Sequence, residues 1–214
     1  ALAAPLLKLV EAAGDVASFQ STFVDAPTWI EVYNSFPKDL GSPGGGGAST
    51  TSRLLSADAL TNDTERLAHV LEVLGPRPGG PVGGVSNPSL SGTMTLGSVA
   101  VDNALNPVWR DAVVHLTTSV SWDDTLNYAA VEAAIDDTTN VKGALLREIA
   151  PKGGVYLNEA DRNEPKWQEA FWGTNYERLL AVKNKYDPDT MLWCQRCAGS
   201  EGWFQDLDGT LCKL

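Results

Sequence analysis

Two runs of backbone breakers decide where regular structure can form in this chain. Gly41-Ser42-Pro43-Gly44-Gly45-Gly46-Gly47 and Gly75-Pro76-Arg77-Pro78-Gly79-Gly80-Pro81 mix the residue that loses most backbone entropy with the one that cannot donate a backbone hydrogen bond. No helix or strand is expected to pass through either run. The first reads as a surface loop, with the rim of a substrate pocket as its functional alternative.

The stretches between them carry clear periodicities. Residues 2–13 place Leu2, Leu6, Leu7, Leu9 and Val10 at helical spacing and end at Gly14. Trp29, Val32, Tyr33 and Phe36 mark one face of a second helix before Pro37, and Ser56-Ala57-Asp58-Ala59-Leu60 opens a third with the stripe Leu60, Leu67, Val70, Leu71 and Leu74. From Val82 to Val101 the texture turns to the Gly, Ser, Thr and Val of short strands and turns. Residues 112–122 form the clearest strand, with Val114, Leu116, Thr118 and Val120 facing one way and Val113, His115, Thr117 and Ser119 the other. Residues 125–150 return to helix. Helices and strands alternate without regular βαβ spacing, so an α+β architecture is expected: an antiparallel sheet covered by helices on one face.

Charge narrows the partners. The 16 basic residues stand against 27 acidic ones, a net −11, and no Lys/Arg cluster interrupts that balance. Neither nucleic acid nor an anionic membrane surface suits such a chain, and no apolar run approaches the roughly 18–20 residues of a membrane span. The chain opens at Ala1 with neither Met nor a signal-like segment, which reads as a cut or processed end. Asn62-Asp63-Thr64 fits the N-glycosylation sequon, whereas Pro88 spoils Asn87-Pro88-Ser89.

Cys194, Cys197 and Cys212 are too few, with two His, for a zinc site, and no metal is expected. In an oxidising compartment a disulfide from Cys212 to Cys194 or Cys197 would pin the tail. Thr174 and Glu177 have the spacing of a capping box, and Pro188 should stop the helix that follows.

Tyr156 and Asn158 lie two apart in a segment that reads as extended, which projects a phenol and an amide to one face while Val155 and Leu157 enter the core. Such a pair suits a planar heteroaromatic ligand, or a purely structural role. Glu159 follows directly, as a general base or a solvated carboxylate. His115 stands on a strand face as a hydrogen-bonded structural residue or, if that face meets a ligand, a second base candidate. Trp109 and Arg110 just upstream, and Arg53 after the glycine run, are the further pocket candidates. His69, among Leu67, Ala68, Val70 and Leu71, reads as structural.

Three segments together resemble the C-terminal signature of berberine-bridge-enzyme-like FAD-linked oxidases of the vanillyl-alcohol-oxidase superfamily: Gly153-Gly154-Val155-Tyr156-Leu157-Asn158-Glu159-Ala160-Asp161, then Trp167-Gln168-Glu169-Ala170-Phe171-Trp172-Gly173, then Asn175 to Pro188. Asn158-Glu159-Ala160-Asp161 and Gly199-Ser200-Glu201-Gly202-Trp203 are closest in texture to fungal isoamyl-alcohol-oxidase-like proteins. The resemblance implies FAD as cofactor in the parent enzyme, Tyr156 and Asn158 beside the isoalloxazine, and oxidation of an alcohol, sugar or similar C–H donor. It also implies a division into a substrate domain over residues 1–160 and a segment over 161–214 that returns to the FAD domain. Many relatives carry a second Tyr where this chain has Glu159, so the base is Glu159 or His115. No Gly-rich phosphate loop is present, so the chain resembles a part whose partner is the N-terminal FAD-binding half. Alone it is expected to be colourless and inactive. With the sequon and the acidic charge, the resemblance favours a secreted protein. A cofactor-free binding domain and a small thiol-redox protein are the other classes left open.

Overall fold

The computed structural model describes residues 4–12, 14, 25–35, 46–94, 99, 101–206 and 209–214. It divides into two compact units, 1–44 and 45–214. In the first, helix α1 covers Ala4–Ala12 and helix α2 covers Trp29–Ser35. Thr28 starts α2, its hydroxyl donating to Glu31 Oε1 at 3.1 Å. Phe36, Pro37 and Gly41–Gly45 lie outside the described residues.

The second unit is built on strand β1 (Gly47–Ser56), strand β2 (Ser89–Met94) and strand β3 (Ala112–Trp122), antiparallel in the order β1-β3-β2. β3 shows the expected alternation, with Leu116, Thr118 and Val120 buried. Helices α3 (Ala57–Thr61) and α4 (Thr64–Leu74) follow β1. The sequence stripe suggested one helix here, but Asp63 breaks it: its carboxylate accepts from Arg66 N at 2.8 Å and starts α4 afresh.

After β3, helix α5 (Tyr128–Asp136), a π-helical turn over Asp137–Lys142 and helix α6 (Gly143–Ile149) form one continuous rod. The π turn buries Thr138, Thr139 and Lys142, and Lys142 pairs with Asp137. Helices α4 and α6 cover one face of the sheet, where Val70, Leu74, Leu146 and Ala150 pack on Leu55 and Leu116 with Leu90 and Val114 alongside. The α+β layer read from the pattern is the observed architecture.

A second core forms where helix α7 (Trp167–Trp172) meets helix α8 (Tyr176–Tyr186), around Val155, Trp167, Ala170, Phe171 and Tyr176. The anticipated capping box is not made. Gly173–Asn175 is a 3₁₀ turn, so Asn175 occupies the N-cap, and its side chain makes no cap bond to α8 but donates to Leu105 O at 2.8 Å. At the other end Asp187 holds the chain, pairing with Lys183 and accepting from Met191 N at 2.8 Å and Leu192 N at 3.0 Å. Burial first, then a hydrogen bond to Glu201, pushes the Tyr176 phenol up to about 12.

The unit runs through position 160 without a break, for Val155 N donates to Ala170 O at 2.9 Å. The tail is a hairpin of strand β4 (Trp203–Gln205) and strand β5 (Leu211–Lys213). Here the expected disulfide is corrected. Cys194 and Cys197 bond to each other, and Cys212, opposite Phe204, is free. The reason is local: a turn in which Cys197 N donates to Cys194 O at 3.1 Å sets the two Cα atoms 5.4 Å apart, within bonding range. The tail is held instead by its own hairpin and by Leu214 N donating to Gly202 O at 2.9 Å.

Candidate functional site

The face of the sheet opposite α4 and α6 carries the residues with chemistry. His115 projects from β3 on that face, beside Thr117 one step along. Leu54 N donates to Gly154 O at 2.8 Å, docking the segment after α6 against the edge of β1. The docking needs glycine, since a Cβ on Gly153 would stand 2.6 Å from Leu54 O.

From that anchor the chain turns over the sheet. Tyr156 is extended, but Leu157–Glu159 is a 3₁₀ turn closed by Glu159 N donating to Tyr156 O at 2.9 Å. The extended segment read from the sequence is therefore corrected at Leu157. Tyr156 and Asn158 are brought together all the same, Asn158 Nδ2 donating to the Tyr156 phenol at 2.6 Å. Val155 is buried and Leu157 packs on the second core, so the apolar pair points inward as anticipated.

The turn also delivers Glu159. Its Oε2 accepts from the Thr117 hydroxyl at 3.0 Å and lies 3.6 Å from His115 Nδ1. The partners differ in exposure: the Glu159 side chain is 47% accessible and that of His115 7%. Burial pulls the His115 imidazole below its ordinary pKa, opposed in part by Glu159, so at neutral pH the ring is uncharged. Its Nε2 is buried without a partner.

Three rings frame the pair. Trp109, His115 and Tyr156 stand with centroids 5.8–5.9 Å apart, two of the contacts edge-on. Trp109 rides on a 3₁₀ turn, Pro107–Arg110, started by Asn106, whose Oδ1 accepts from Val108 N at 3.1 Å. Asn106 Nδ2 reaches across to Ala170 O at 3.0 Å and ties the turn to α7. Arg110, half-buried in the same turn, makes none of the ring or carboxylate contacts among the described residues.

Arg53 is not part of this site. Its partner across the ladder is Leu116, which places it on the helix-covered face. There it is buried, its Nε donating to Ala150 O at 3.3 Å and its Nη1 to Glu164 at 2.8 Å, with Arg147 on the other Glu164 oxygen at 3.0 Å. It is a structural ion cluster. His69, exposed on α4, stands apart as well.

Asn158 opens onto a cavity of about 360 Å³ shared with Thr50, Trp122 and Asp161. A larger cleft of about 780 Å³ lies elsewhere, with Arg66, Asp111 and Lys152 in its wall, and contains none of the ring cluster. The sequon residue Asn62 is exposed at its border. Sequence reasoning missed Thr117 as a ligand of Glu159, and Asn106. The Asn-Pro start of a turn was the available signal for Asn106. No cluster of three metal-ligating side chains occurs among the described residues, and no described helix is long and apolar enough to cross a membrane.

A phenol and a carboxamide side by side on an accessible rim, before a carboxylate backed by a neutral imidazole, fit the polar edge of a flavin ring. They do not fit a pyrophosphate, which needs backbone amides or cations.

Residues 155–196 match the family described as berberine and berberine like. The chain is 30% identical over 197 residues to the FAD-linked oxidoreductase ZEB1 of Gibberella zeae, spanning 91% of this chain and 33% of that protein. It is 34% identical over 163 residues to the FAD-linked oxidoreductase hmp9 of Hypomyces subiculosus, 76% of this chain and 26% of that one. The crystal structure of the VAO-type flavoprotein MtVAO713 from Myceliophthora thermophila C1 superposes with a TM-score of 0.80 at 29% identity, over 99% of this chain and 37% of that one. A mixed helix and antiparallel-sheet unit bearing this site is thus of the VAO-type flavoprotein class. Within that class the chain belongs to the berberine-bridge-enzyme-like FAD-linked oxidoreductases, and it spans about a third or less of the length of these curated relatives.

Proposed function

We propose that this chain supplies the substrate-facing side of a flavin-dependent oxidase site, with Glu159 as the proton acceptor. The observation that carries the reading is the Glu159 carboxylate, accessible in front yet held from behind by Thr117 and His115. FAD, when bound, supplies the two-electron acceptor that takes hydride from an alcohol, sugar or similar C–H donor and passes the electrons to O2.

Tyr156 and Asn158 are the residues that would hold the ring edge, oriented by their mutual hydrogen bond. Glu159 Oε2, fixed by the Thr117 hydroxyl, takes the proton of the substrate hydroxyl as the C–H bond breaks. His115 acts through Glu159 and is a positioning residue. Its lowered proton affinity keeps it neutral, so it stands 3.6 Å behind the carboxylate without neutralising it. Trp109 closes the flank against water. Arg110, beside Trp109 in the same turn, would line the pocket wall.

The partner is the FAD-binding half of the same enzyme, and residues 161–214 return the chain to it. This chain alone is expected to be colourless and inactive. The compartment proposed is extracellular, with a glycan at the exposed Asn62. Single-turnover reduction of the intact flavoprotein tests the central claim. Glu159→Gln should slow flavin bleaching by about 10²–10⁴-fold while the flavin spectrum stays in place. An unchanged rate transfers the role to His115. A chain that folds and binds small molecules yet never takes up flavin in any longer form returns the protein to the cofactor-free class.

A further inference from the structure

The turn Cys194–Cys197 is closed twice, by its disulfide and by Cys197 N donating to Cys194 O at 3.1 Å. Its third residue, Arg196, has a φ of 64°. Turns with a positive φ at that position favour glycine, because a side chain there is strained unless its surroundings hold it. Arginine occupies it, and its side chain is in use. Arg196 Nε donates to Arg162 O at 2.9 Å, and the guanidinium lies 5.6 Å from the centre of the Trp167 ring in the second core. Gln195 in the same turn accepts from Arg162 Nη2 at 3.3 Å. Both of these Arg162 hydrogen bonds go to the disulfide ring.

Arg162 belongs to the segment that carries Tyr156, Asn158 and Glu159. Beyond the 3₁₀ turn at Leu157, Asn163 N donates to Asp161 Oδ1 at 2.8 Å and Glu164 N to Asp161 O at 3.0 Å, so a second short turn follows the first. Short turns have no ladder of hydrogen bonds to hold them. The second is weakened further, since Asp161 Oδ2 is buried without a partner in a residue 2% exposed. Asn158 and Arg162 line the same cavity of about 360 Å³. The rim from Asn158 to Arg162 therefore takes its shape in part from what grips it, and the grip on Arg162 is the disulfide turn.

We infer that Cys194–Cys197 is a redox-sensitive latch. Closed, it holds Arg196 on Arg162 and sets the rim; opened by a dithiol, it lets the rim relax. Opening is a two-electron exchange. One thiolate of the dithiol attacks Sγ of the exposed Cys194, and Cys197 leaves as a thiolate and takes a proton. The second thiol of the reductant then displaces Cys194, which is protonated in turn. Two protein thiols and one reductant disulfide result. With the ring open, Arg196 can leave the left-handed region, and its guanidinium leaves Arg162 with it. A catalytic dithiol gains its reactivity from a helix N-terminus or a neighbouring cation; here only the 3₁₀ turn Ser200–Gly202 follows, so the pair holds structure and carries no turnover of its own. The latch stands apart from the oxidase reading, since it concerns the shape of the rim and not what reacts there.

Amide hydrogen exchange of this chain, followed by heteronuclear NMR before and after dithiothreitol, tests it. Thiol titration of the unfolded chain should find one thiol without reductant and three with it. Reduction should speed exchange at Glu159, Asn163 and Glu164 by on the order of tenfold while the amides of β3 keep their rates. Cys194→Ser/Cys197→Ser should show the fast rates without reductant. Arg196→Gly suits the left-handed turn and keeps the disulfide but removes the grip, so its rim should exchange fast in both redox states. Three thiols before reduction, rim amides that ignore dithiothreitol, or an equal rise throughout β3 overturns the latch. So does an Arg196→Gly chain whose rim still responds to the reductant.

Discussion

Two charged clusters sit on opposite faces of the same pair of strands, and they are built on opposite principles. Behind the sheet, Glu164 takes Arg53 on one oxygen and Arg147 on the other, at 2.8 and 3.0 Å. Arg53 is further committed to Ala150 O. On the open face, Glu159 has one hydroxyl donor, a long contact to an uncharged imidazole, and an accessible front. The first cluster is satisfied and sealed, as buried charges must be. The second is left incomplete, and that incompleteness leaves Glu159 an accessible side.

Substitution of the two carboxylates separates them most sharply. Glu164→Ala strands the buried Arg53 guanidinium and unpairs the half-buried Arg147, and should cost about 3–5 kcal/mol in urea unfolding. Glu159→Gln should stay within about 0.5 kcal/mol, its damage confined to flavin reduction. Equal destabilisation by both would break the comparison, because the open cluster would then be structural too.

A smaller difference should appear with pH. The folded His115 has the lower pKa, so the unfolded chain binds the proton first as pH falls through about 6.5. The stability contribution is fully present above that value and is lost as pH falls toward the folded pKa. His115→Gln should remove that part of the slope between pH 7.5 and 5.5 in denaturant midpoints, and a slope identical to wild type would deny the buried neutral state.

The least effect is expected away from both clusters. Thr174→Ala should change stability by less than about 0.5 kcal/mol, since Thr174 caps nothing, whereas Asp63→Ala, which removes a formed cap, should cost about 1 kcal/mol. A Thr174 effect as large as that of Asp63 would restore the capping box.

These contrasts also mark what could be read in the amino-acid order. The parity of Ala112–Trp122 assigned His115 and Thr117 to one face because a strand has a period of two and nothing else competes. Tyr156 and Asn158 were read correctly as neighbours, though the 3₁₀ turn at Leu157 joins them in place of a strand. Arg53 went astray because one position in a strand decides the face, and the register against Leu116 is set by pairing that local sequence does not contain. Cysteine pairing failed for a related reason. A turn at Cys194–Cys197 is a short-range event, while Cys212 belongs to a hairpin whose placement is decided elsewhere. Glu164 was invisible, since nothing in a sequence says which Glu will find itself surrounded.

Asn106 has one more consequence. A Cβ on Gly154 would fall 2.7 Å from its amide nitrogen, and one on Gly173 2.7 Å from its amide oxygen. The carboxamide is thus a key cut to fit between two residues that have no side chain. The turn bearing Trp109 and the segment bearing Tyr156 to Glu159 are registered against each other by that fit. Alignment of the candidate site's side chains is therefore encoded in residues outside it, and a catalogue of its polar and aromatic members would pass over the parts that hold them in line.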